Sequence, residues 1–209
     1  MTGPAVGVLD YGSGNLHSVC QALIAAGAGV TTYTDARQLV GCDGVVLPGV
    51  GAFAACMDGL HACQAPAVLV ALRDAGTPVL GICVGHQVLF QAGVEHGAQA
   101  SGIGLVPGVV ERLRAERLPH MGWNTVEPPV GSVMFAGVEH ERFYFVHSYG
   151  VHDSAADGLA WCSHEGDRFV AAVESSNVWG TQFHPEKSGA AGARVLRNWL
   201  STVAEGVDR

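Results

Sequence analysis

The segment Pro78-Val-Leu-Gly-Ile-Cys-Val-Gly-His-Gln87 sets one cysteine, Cys83, between Gly81 and Gly85 at the end of an apolar run, and Val88-Leu-Phe90 is expected to continue as a helix. An apolar strand that turns sharply into a helix through small residues is the layout of a nucleophile elbow, which presents one reactive side chain at the carboxyl edge of a sheet. At a helix N-terminus the backbone dipole favours thiolate over a thiol of ordinary pKa, about 8.5. A buried cysteine closing an ordinary strand looks similar, so the reading needs a base. Gly180-Thr-Gln-Phe-His-Pro-Glu-Lys-Ser188 offers one: His184 follows a strand directly, Pro185 stops that strand, and Glu186 stands two residues on, where it can orient the imidazole. Thiol, imidazole and carboxylate in these roles form a Cys-His-Glu triad for acyl transfer.

A third element, Leu47-Pro-Gly-Val-Gly-Ala-Phe53, again ends an apolar strand. Glycines on both sides of Val50 let the backbone turn N–H groups toward a developing oxyanion. In isolation an ordinary glycine-rich turn would read the same way. It is not a phosphate loop, because the G-x-x-x-x-G-K pattern is missing.

These groups must be carried by strands that end on one edge. Ala5 to Asp10 is a short apolar strand, followed by a helix with Leu16, Val19, Cys20, Leu23 and Ile24 on one face. Val30 to Tyr33 and Gly44 to Leu47 read as strands, a helix surrounds Pro66 to Ala75, and Pro78 to Ile82 is the next strand. Short, fully apolar strands alternating with helices indicate an α/β fold with a mostly parallel sheet flanked by helices. Past residue 100 the strands Val109 to Leu113, Phe143 to Val146, Leu159 to Cys162, Phe169 to Glu174 and Val178 to Phe183 have short polar connections. They predict an added antiparallel segment in the C-terminal half. A last helix runs from about Ala190 to Val203, and no linker or repeat divides residues 1–209, so one domain is expected.

The charge balance, 11 Lys plus Arg against 19 Asp plus Glu, gives −8 and excludes a basic nucleic-acid binder. With 48% hydrophobic and 14% charged residues the chain is too apolar to be disordered. No apolar run approaches the roughly 20 residues that cross a bilayer, so no membrane association is expected. The start, MTGPAVGVLDYG, lacks a basic region and reads as a first strand, which implies a cytoplasmic protein. Six scattered cysteines without a C-x-x-C pair argue against a metal site and against a disulfide framework. Lys187 is the sole lysine.

Taken together, the elbow and the His-Pro-Glu segment resemble the class I (triad) glutamine amidotransferases, whose fold is flavodoxin-like. Within that class, Pro48-Gly-Val-Gly-Ala-Phe53, Pro119-His-Met-Gly-Trp-Asn124, Phe145-Val-His-Ser-Tyr149 and Phe183-His-Pro-Glu-Lys-Ser188 look like the glutaminase subunits of imidazole glycerol phosphate synthase, of histidine biosynthesis. The resemblance spans essentially the whole chain. It implies that Cys83 attacks the side-chain amide of L-glutamine, that His184 passes a proton to departing ammonia, and that Glu186 orients His184. The oxyanion would be held by the N–H of Val84 and, after a backbone rearrangement at Gly49-Val50, by that of Val50. Gly51, Gln87, Glu95, His147, Ser148 and Tyr149 match substrate-binding positions. The implied partner is a (β/α)8-barrel cyclase subunit in a heterodimer, with Trp123, Asn124, Tyr144 and Lys187 at the interface. No cofactor is implied.

The elbow departs from the usual C-L-G-M-Q of the class by reading Cys83-Val-Gly-His-Gln87. His86 thus puts a titratable ring where the class packs an apolar side chain, either perturbing Cys83 or reaching solvent. Three other readings stay open: a glutaminase serving a different acceptor, a stand-alone cysteine hydrolase acting on γ-glutamyl bonds, and a non-catalytic binding module, which an intact triad disfavours.

Overall fold

In the computed structural model, which describes residues 3–207, the first half of the chain alternates strand and helix. β1 (Ala5–Leu9), α1 (Leu16–Ala26), β2 (Gly29–Tyr33), β3 (Gly44–Gly49), α2 (Phe53–Ala62), α3 (Ala65–Asp74) and β4 (Val79–Cys83) lead to α4 (Val84–Gln87), a single turn. The second half is mostly strands: β5 (Phe90–Glu95), β6 (Ala98–Ser101), β7 (Val106–Arg112), β8 (His120–Thr125), β9 (Arg142–His147), β10 (Tyr149–Val151), β11 (Leu159–His164), β12 (Asp167–Ser175) and β13 (Val178–Thr181). The long helix α5 (Gly189–Val207) closes the fold.

Seven strands form the main sheet in the order β11-β12-β13-β4-β3-β1-β2. The neighbours from β13 to β2 pair in parallel, while β11 and β12 join as an antiparallel extension. Every residue of β3, β4 and β13 is buried, as required of strands covered on both faces. The expected mostly parallel sheet with an antiparallel C-terminal addition is therefore present. A smaller sheet, β10-β7-β5-β6, and the hairpin β8-β9 stand beside it. On α5, Val195, Leu196, Trp199, Leu200 and Val203 turn inward as their spacing predicts.

Besides the short strands β6, β8 and β10, which the sequence reading did not assign, three features differ from it. The helix after Cys83 does not run on through Phe90: it makes one turn, and Phe90 starts β5. Val88, Leu89 and Phe90 are each fully buried, so no polar face marks a period. Their carbonyls are taken instead by the returning segment, with Ile103 N–H on Val88, Val106 N–H on Leu89 and Gly104 N–H on Phe90. A one-turn helix also has little macrodipole to offer Cys83. Second, Phe53–Ala62 is a helix that the sequence reading did not assign. Third, Ile24 does not share the buried face of α1: it is half exposed, and Val19 and Leu23 carry that face.

The parallel strands β1, β3, β4 and β13 bring Tyr11 to Ser13, Gly49 to Gly51, Cys83 and His184 to one carboxyl edge of the sheet. Crevices outside that edge are where ligands bind in open α/β sheets.

Candidate functional site

Cys83 closes β4 with φ 56° and ψ −112°, left-handed backbone that a residue bearing a Cβ rarely adopts. The turn is possible because the residues around it come closer than side chains allow. A Cβ on Gly85 would lie 1.8 Å from the Leu47 carbonyl oxygen, so the first turn of α4 rests directly on β3. The strain persists because packed neighbours on both sides enforce it. Cys83 is almost wholly buried, with only its cleft side open.

His184 leaves the end of β13 and is held from three directions. Its N–H donates to the Tyr144 carbonyl at 2.9 Å, its own carbonyl accepts the Ser188 hydroxyl at 2.6 Å, and Ser188 Oγ in turn accepts the Tyr144 N–H at 2.9 Å. Nδ1 of the ring lies 2.7 Å from Glu186 Oε1, and both side chains are at most 3% exposed. Nε2 has no hydrogen-bond partner of good geometry, yet the Cys83 sulfur is near enough to act on it. Burial alone would lower the pKa of His184; hydrogen bonding to Cys83 and Glu186, and the charges of both, outweigh it and raise the pKa to about 9.

Gly49 and Val50 stand beside the nucleophile, Gly49 being the register partner of Cys83 across β3 and β4. The Val50 N–H does not point at the thiol; it donates to Ser13 Oγ at 3.0 Å.

A cleft of about 250 Å³ is lined by Val50, Gly51, Cys83, Val84, Gln87, Glu95, Val146, His147, Ser148, Tyr149, His184 and Lys187. Its size is just below the usual range for ligand pockets, roughly 300–1,000 Å³, and fits one amino acid better than a nucleotide. All the residues assigned from the sequence to nucleophile, base, oxyanion donors and substrate contacts line it, apart from Gly49 beneath the elbow and Glu186 behind His184. Four larger depressions lie elsewhere on the surface, and of these groups they share only Tyr149, which also borders the one around Val94 to Arg114.

The walls are already tied down. Glu95 Oε2 accepts the Phe53 N–H at 3.0 Å, supplying α2 with the cap its own Ala52 cannot give, and Oε1 makes no hydrogen bond among the described residues. Gln87 donates to the Tyr149 carbonyl at 2.8 Å and to Gln182 Oε1 at 2.9 Å, which commits its amide protons. His147 Nδ1 faces the Tyr149 carbonyl at 2.9 Å and must carry the proton there, so Nε2 accepts from His120 Nδ1 at 3.0 Å. His120 Nε2 is then the acceptor for Asn124 Nδ2 at 3.3 Å. Burial lowers the pKa of His147 to about 3 and that of His120, helped by nearby His164, to about 4, so this relay is neutral.

On the outer side, Trp123 is about half exposed and meets Tyr144 edge-on across the β8-β9 hairpin, ring centroids 6.0 Å apart. Lys187 is exposed at the cleft rim and forms no ion pair among the described residues. Asn124 faces inward, with its amide also on the Ser163 carbonyl at 2.9 Å. His86 does not reach solvent: it is 1% exposed, edge-on to Phe90, with an unpartnered Nδ1 facing Gly180 and a pKa lowered by burial to about 3. Its ring is neutral.

Sequence reasoning missed Gln182, whose amide donates to Cys83 Sγ at 3.9 Å. Nothing local announced it, because β13 ends at Thr181, the chain bends at Gln182 and Phe183, and the partner Cys83 is 99 residues away. Ser188, His120 and Ser13 were missed as well, and only their long-range partners reveal them. Among the described residues no cluster of His, Cys, Asp and Glu is arranged to hold a metal ion.

The family model for glutamine amidotransferase class-I matches residues 7–203. The imidazole glycerol phosphate synthase subunit HisH of Corynebacterium glutamicum is 52% identical over 207 residues, covering 95% of this chain and 98% of its own length. That of Nocardia farcinica is 53% identical over 212 residues, covering 97% and 100%. Among solved structures, a glutamine amidotransferase (TM-score 0.75, 20% identity, 95% of this chain and 98% of the other) and PurLQS from Thermotoga maritima (TM-score 0.75, 20% identity, 96% and 99%) share the fold.

Proposed function

Because the chain belongs to the class-I glutamine amidotransferase family, we propose that its cleft hydrolyses L-glutamine through Cys83, His184 and Glu186. The chain is the glutaminase subunit of an imidazole glycerol phosphate synthase, acting in histidine biosynthesis. The observation that carries the site assignment is Cys83 on a strained elbow in the same cleft as an imidazole whose far nitrogen is bound to a buried carboxylate.

In this reading Cys83 passes its proton to His184 Nε2 and its sulfur attacks the amide carbon of glutamine. The C=O electron pair moves onto oxygen, and the Val84 N–H stabilises that oxyanion. When the tetrahedral intermediate collapses, the C–N bond breaks, His184 gives its proton to the leaving nitrogen, and ammonia departs from a glutamyl thioester. Water, deprotonated by His184, then attacks the thioester; the C–S bond breaks, His184 returns the proton to the sulfur, glutamate is released and the Cys83 thiol is regenerated. An imidazole whose pKa is raised to about 9 by Cys83 and Glu186 keeps the proton it takes from Cys83 and can deliver it to the leaving nitrogen as the acid. Glu186 fixes the ring with Nδ1–H toward the carboxylate.

Ammonia released into water would be protonated and lost, so a glutaminase subunit gains from docking onto the enzyme that uses it. The cyclase subunit, taken to be a (β/α)8 barrel in a heterodimer, would receive ammonia and make imidazole glycerol phosphate and aminoimidazole carboxamide ribonucleotide. Exposed Met121 and Trp123 on β8, with Tyr144 and Lys187 nearby, supply apolar area and one cation for that contact. No single helix among the described residues is long and apolar enough to cross a membrane, and a cytoplasmic location agrees with a biosynthetic role.

The test is glutamate release from glutamine by the chain together with its cyclase partner and nucleotide substrate. Turnover coupled to product supports the reading; product formed only from free ammonia contradicts it.

A further inference from the structure

Gln182 is wholly buried where the chain leaves β13, and its backbone N–H is fixed on the Ala171 carbonyl at 2.8 Å. A primary amide offers an oxygen on one side and two N–H groups on the other, and its partners decide which way it lies. Here a backbone carbonyl decides. The Tyr149 oxygen can only accept, so Gln87 must turn its Nε2 toward it, at 2.8 Å. The same nitrogen donates to Gln182 Oε1 at 2.9 Å, which puts the oxygen of Gln182 on the Gln87 side and its nitrogen on the side of Cys83. That nitrogen donates to Cys83 Sγ at 3.9 Å. The Tyr149 carbonyl is held in turn by His147 Nδ1 at 2.9 Å. Neither amide can flip without leaving buried polar atoms unpaired, so the direction of the chain is set.

Hydrolysis of glutamine by Cys83, His184 and Glu186 asks for no group at this place. His184 exchanges protons with the sulfur, and the oxyanion donor faces the carbonyl oxygen. The Gln182 amide cannot act as acid or base at neutral pH; what it supplies is a fixed dipole. A thiol sulfur is a weak acceptor, whereas a thiolate takes part in a charge-assisted bond, so this N–H contributes more when the sulfur is charged. The sulfur is charged twice in each turnover: once its proton has passed to His184, and again when the C–S bond of the glutamyl thioester breaks. A dipole already aimed at that charge needs no reorganisation at either step.

We propose that Gln182 is a catalytic residue whose amide donates to the Cys83 sulfur and stabilises the thiolate both as nucleophile and as leaving group. The proposal rests on the glutaminase reading given above. It places the effect in kcat rather than KM, because the interaction strengthens only once charge develops on the sulfur.

The test replaces the amide by Gln182→Met, of similar length without a donor, and by Gln182→Asn, which falls one methylene short of the sulfur. Alkylation of Cys83 by iodoacetamide in the full chain, followed at pH 7 by mass spectrometry of the Cys83 peptide, needs neither glutamine nor partner. Its rate should fall about tenfold in both variants, equivalent to about 1.4 kcal/mol, while the partly exposed Cys20 reacts as in the parent. With the cyclase partner and nucleotide, kcat for glutamate release should fall by a similar factor with KM within about twofold, and product from added ammonia should be unchanged. Alkylation of Cys83 at the parent rate in either variant would overturn the proposal. So would a raised KM with unchanged alkylation, which would show Gln182 acting only through Gln87. If neither variant folds, the parent decides: the side-chain amide protons of Gln182, read by NMR, should move with pH along the same curve as Cys83 alkylation, and resonances that stay still overturn the contact. If the parent releases no glutamate even with its cyclase partner and nucleotide, the glutaminase reading has failed, and the alkylation rates still decide whether Gln182 serves the Cys83 sulfur.

Discussion

Gly49 and Cys83 are register partners at the ends of β3 and β4, and a Cβ on Gly49 would lie 2.4 Å from the Gly85 N–H nitrogen, within the first turn after the nucleophile. The oxyanion loop and the elbow are therefore packed backbone to backbone, with no side chain between them. Interiors at this density do not absorb even one added methyl without displacement.

Gly49→Ala should accordingly act on the elbow itself. Since both atoms it meets first, Gly85 N and the Tyr11 hydroxyl, are held by buried surroundings, the substitution should cost about 1–3 kcal/mol of stability and reduce kcat/KM for glutamine at least tenfold. Thermal unfolding and steady-state glutaminase assays check both. Unchanged stability with a raised basal rate would mean that the loop is free to move away from the elbow.

Glu186→Gln tests the orienting carboxylate. Its hydrogen bond and charge help lift His184 to about 9 against burial, so the neutral amide should lower that value and draw the alkaline limb of the pH–rate profile to lower pH. kcat should fall by about 10² or more, as expected when a base loses the group that fixes its tautomer. A profile whose alkaline limb does not move would detach Glu186 from the base.

His86, His120 and His147 make the fold sensitive to acid. Burial sets their folded pKa values at about 3, 4 and 3, whereas the unfolded chain takes up those protons near 6.5. Between about pH 6.5 and pH 4 the unfolded state binds more protons, so stability falls as pH falls through that window. His184 works in the opposite sense: its contribution is complete below about 6.5 and is lost as pH rises through about 9. His86→Met removes an unpartnered buried nitrogen, worth about 1 kcal/mol or more. It should raise Tm at pH 7 by about 2–4 °C and flatten the acid decline; a lower Tm at both pH 7 and pH 5 would show that the ring is a needed packing element.

What the sequence made legible was local. The elbow could be read because Gly81, Cys83 and Gly85 lie within five residues, and His184, Pro185 and Glu186 are consecutive. Short apolar runs exposed β3 and β4, and helical spacing of apolar residues exposed α5, for the same reason. What stayed hidden depends on distant pairings: Ser13 meets Val50 across 37 positions and Gln182 meets Cys83 across 99. The helix wrongly continued through Phe90 belongs with these, because three residues buried on every side carry no period and their fate is set by β7 and the loop at Gly102 to Val106. The substrate-side positions Gln87 and Glu95 gather in the cleft as expected, but their internal bonds to Tyr149, Gln182 and Phe53 could not have been inferred from type or spacing.

Lys187 stands exposed at the rim of the cleft, one residue past the buried Glu186, and is the only lysine of the chain. Lys187→Ala should weaken glutamine-dependent coupling and association with the cyclase subunit several-fold, while Tm changes by less than the few degrees that about 1 kcal/mol would produce. Titration of the two subunits alongside the coupled assay measures this. Unchanged association and unchanged coupled activity would remove Lys187 from the interface.

Replacing the nucleophile tests the central claim most directly. Cys83→Ala, assayed with the cyclase subunit and its nucleotide, should lose glutamate release and glutamine-dependent product together, and should keep product formation from added ammonia at the parent rate. Glutamate still released by Cys83→Ala would contradict the account, because no other thiol lines the cleft among the described residues.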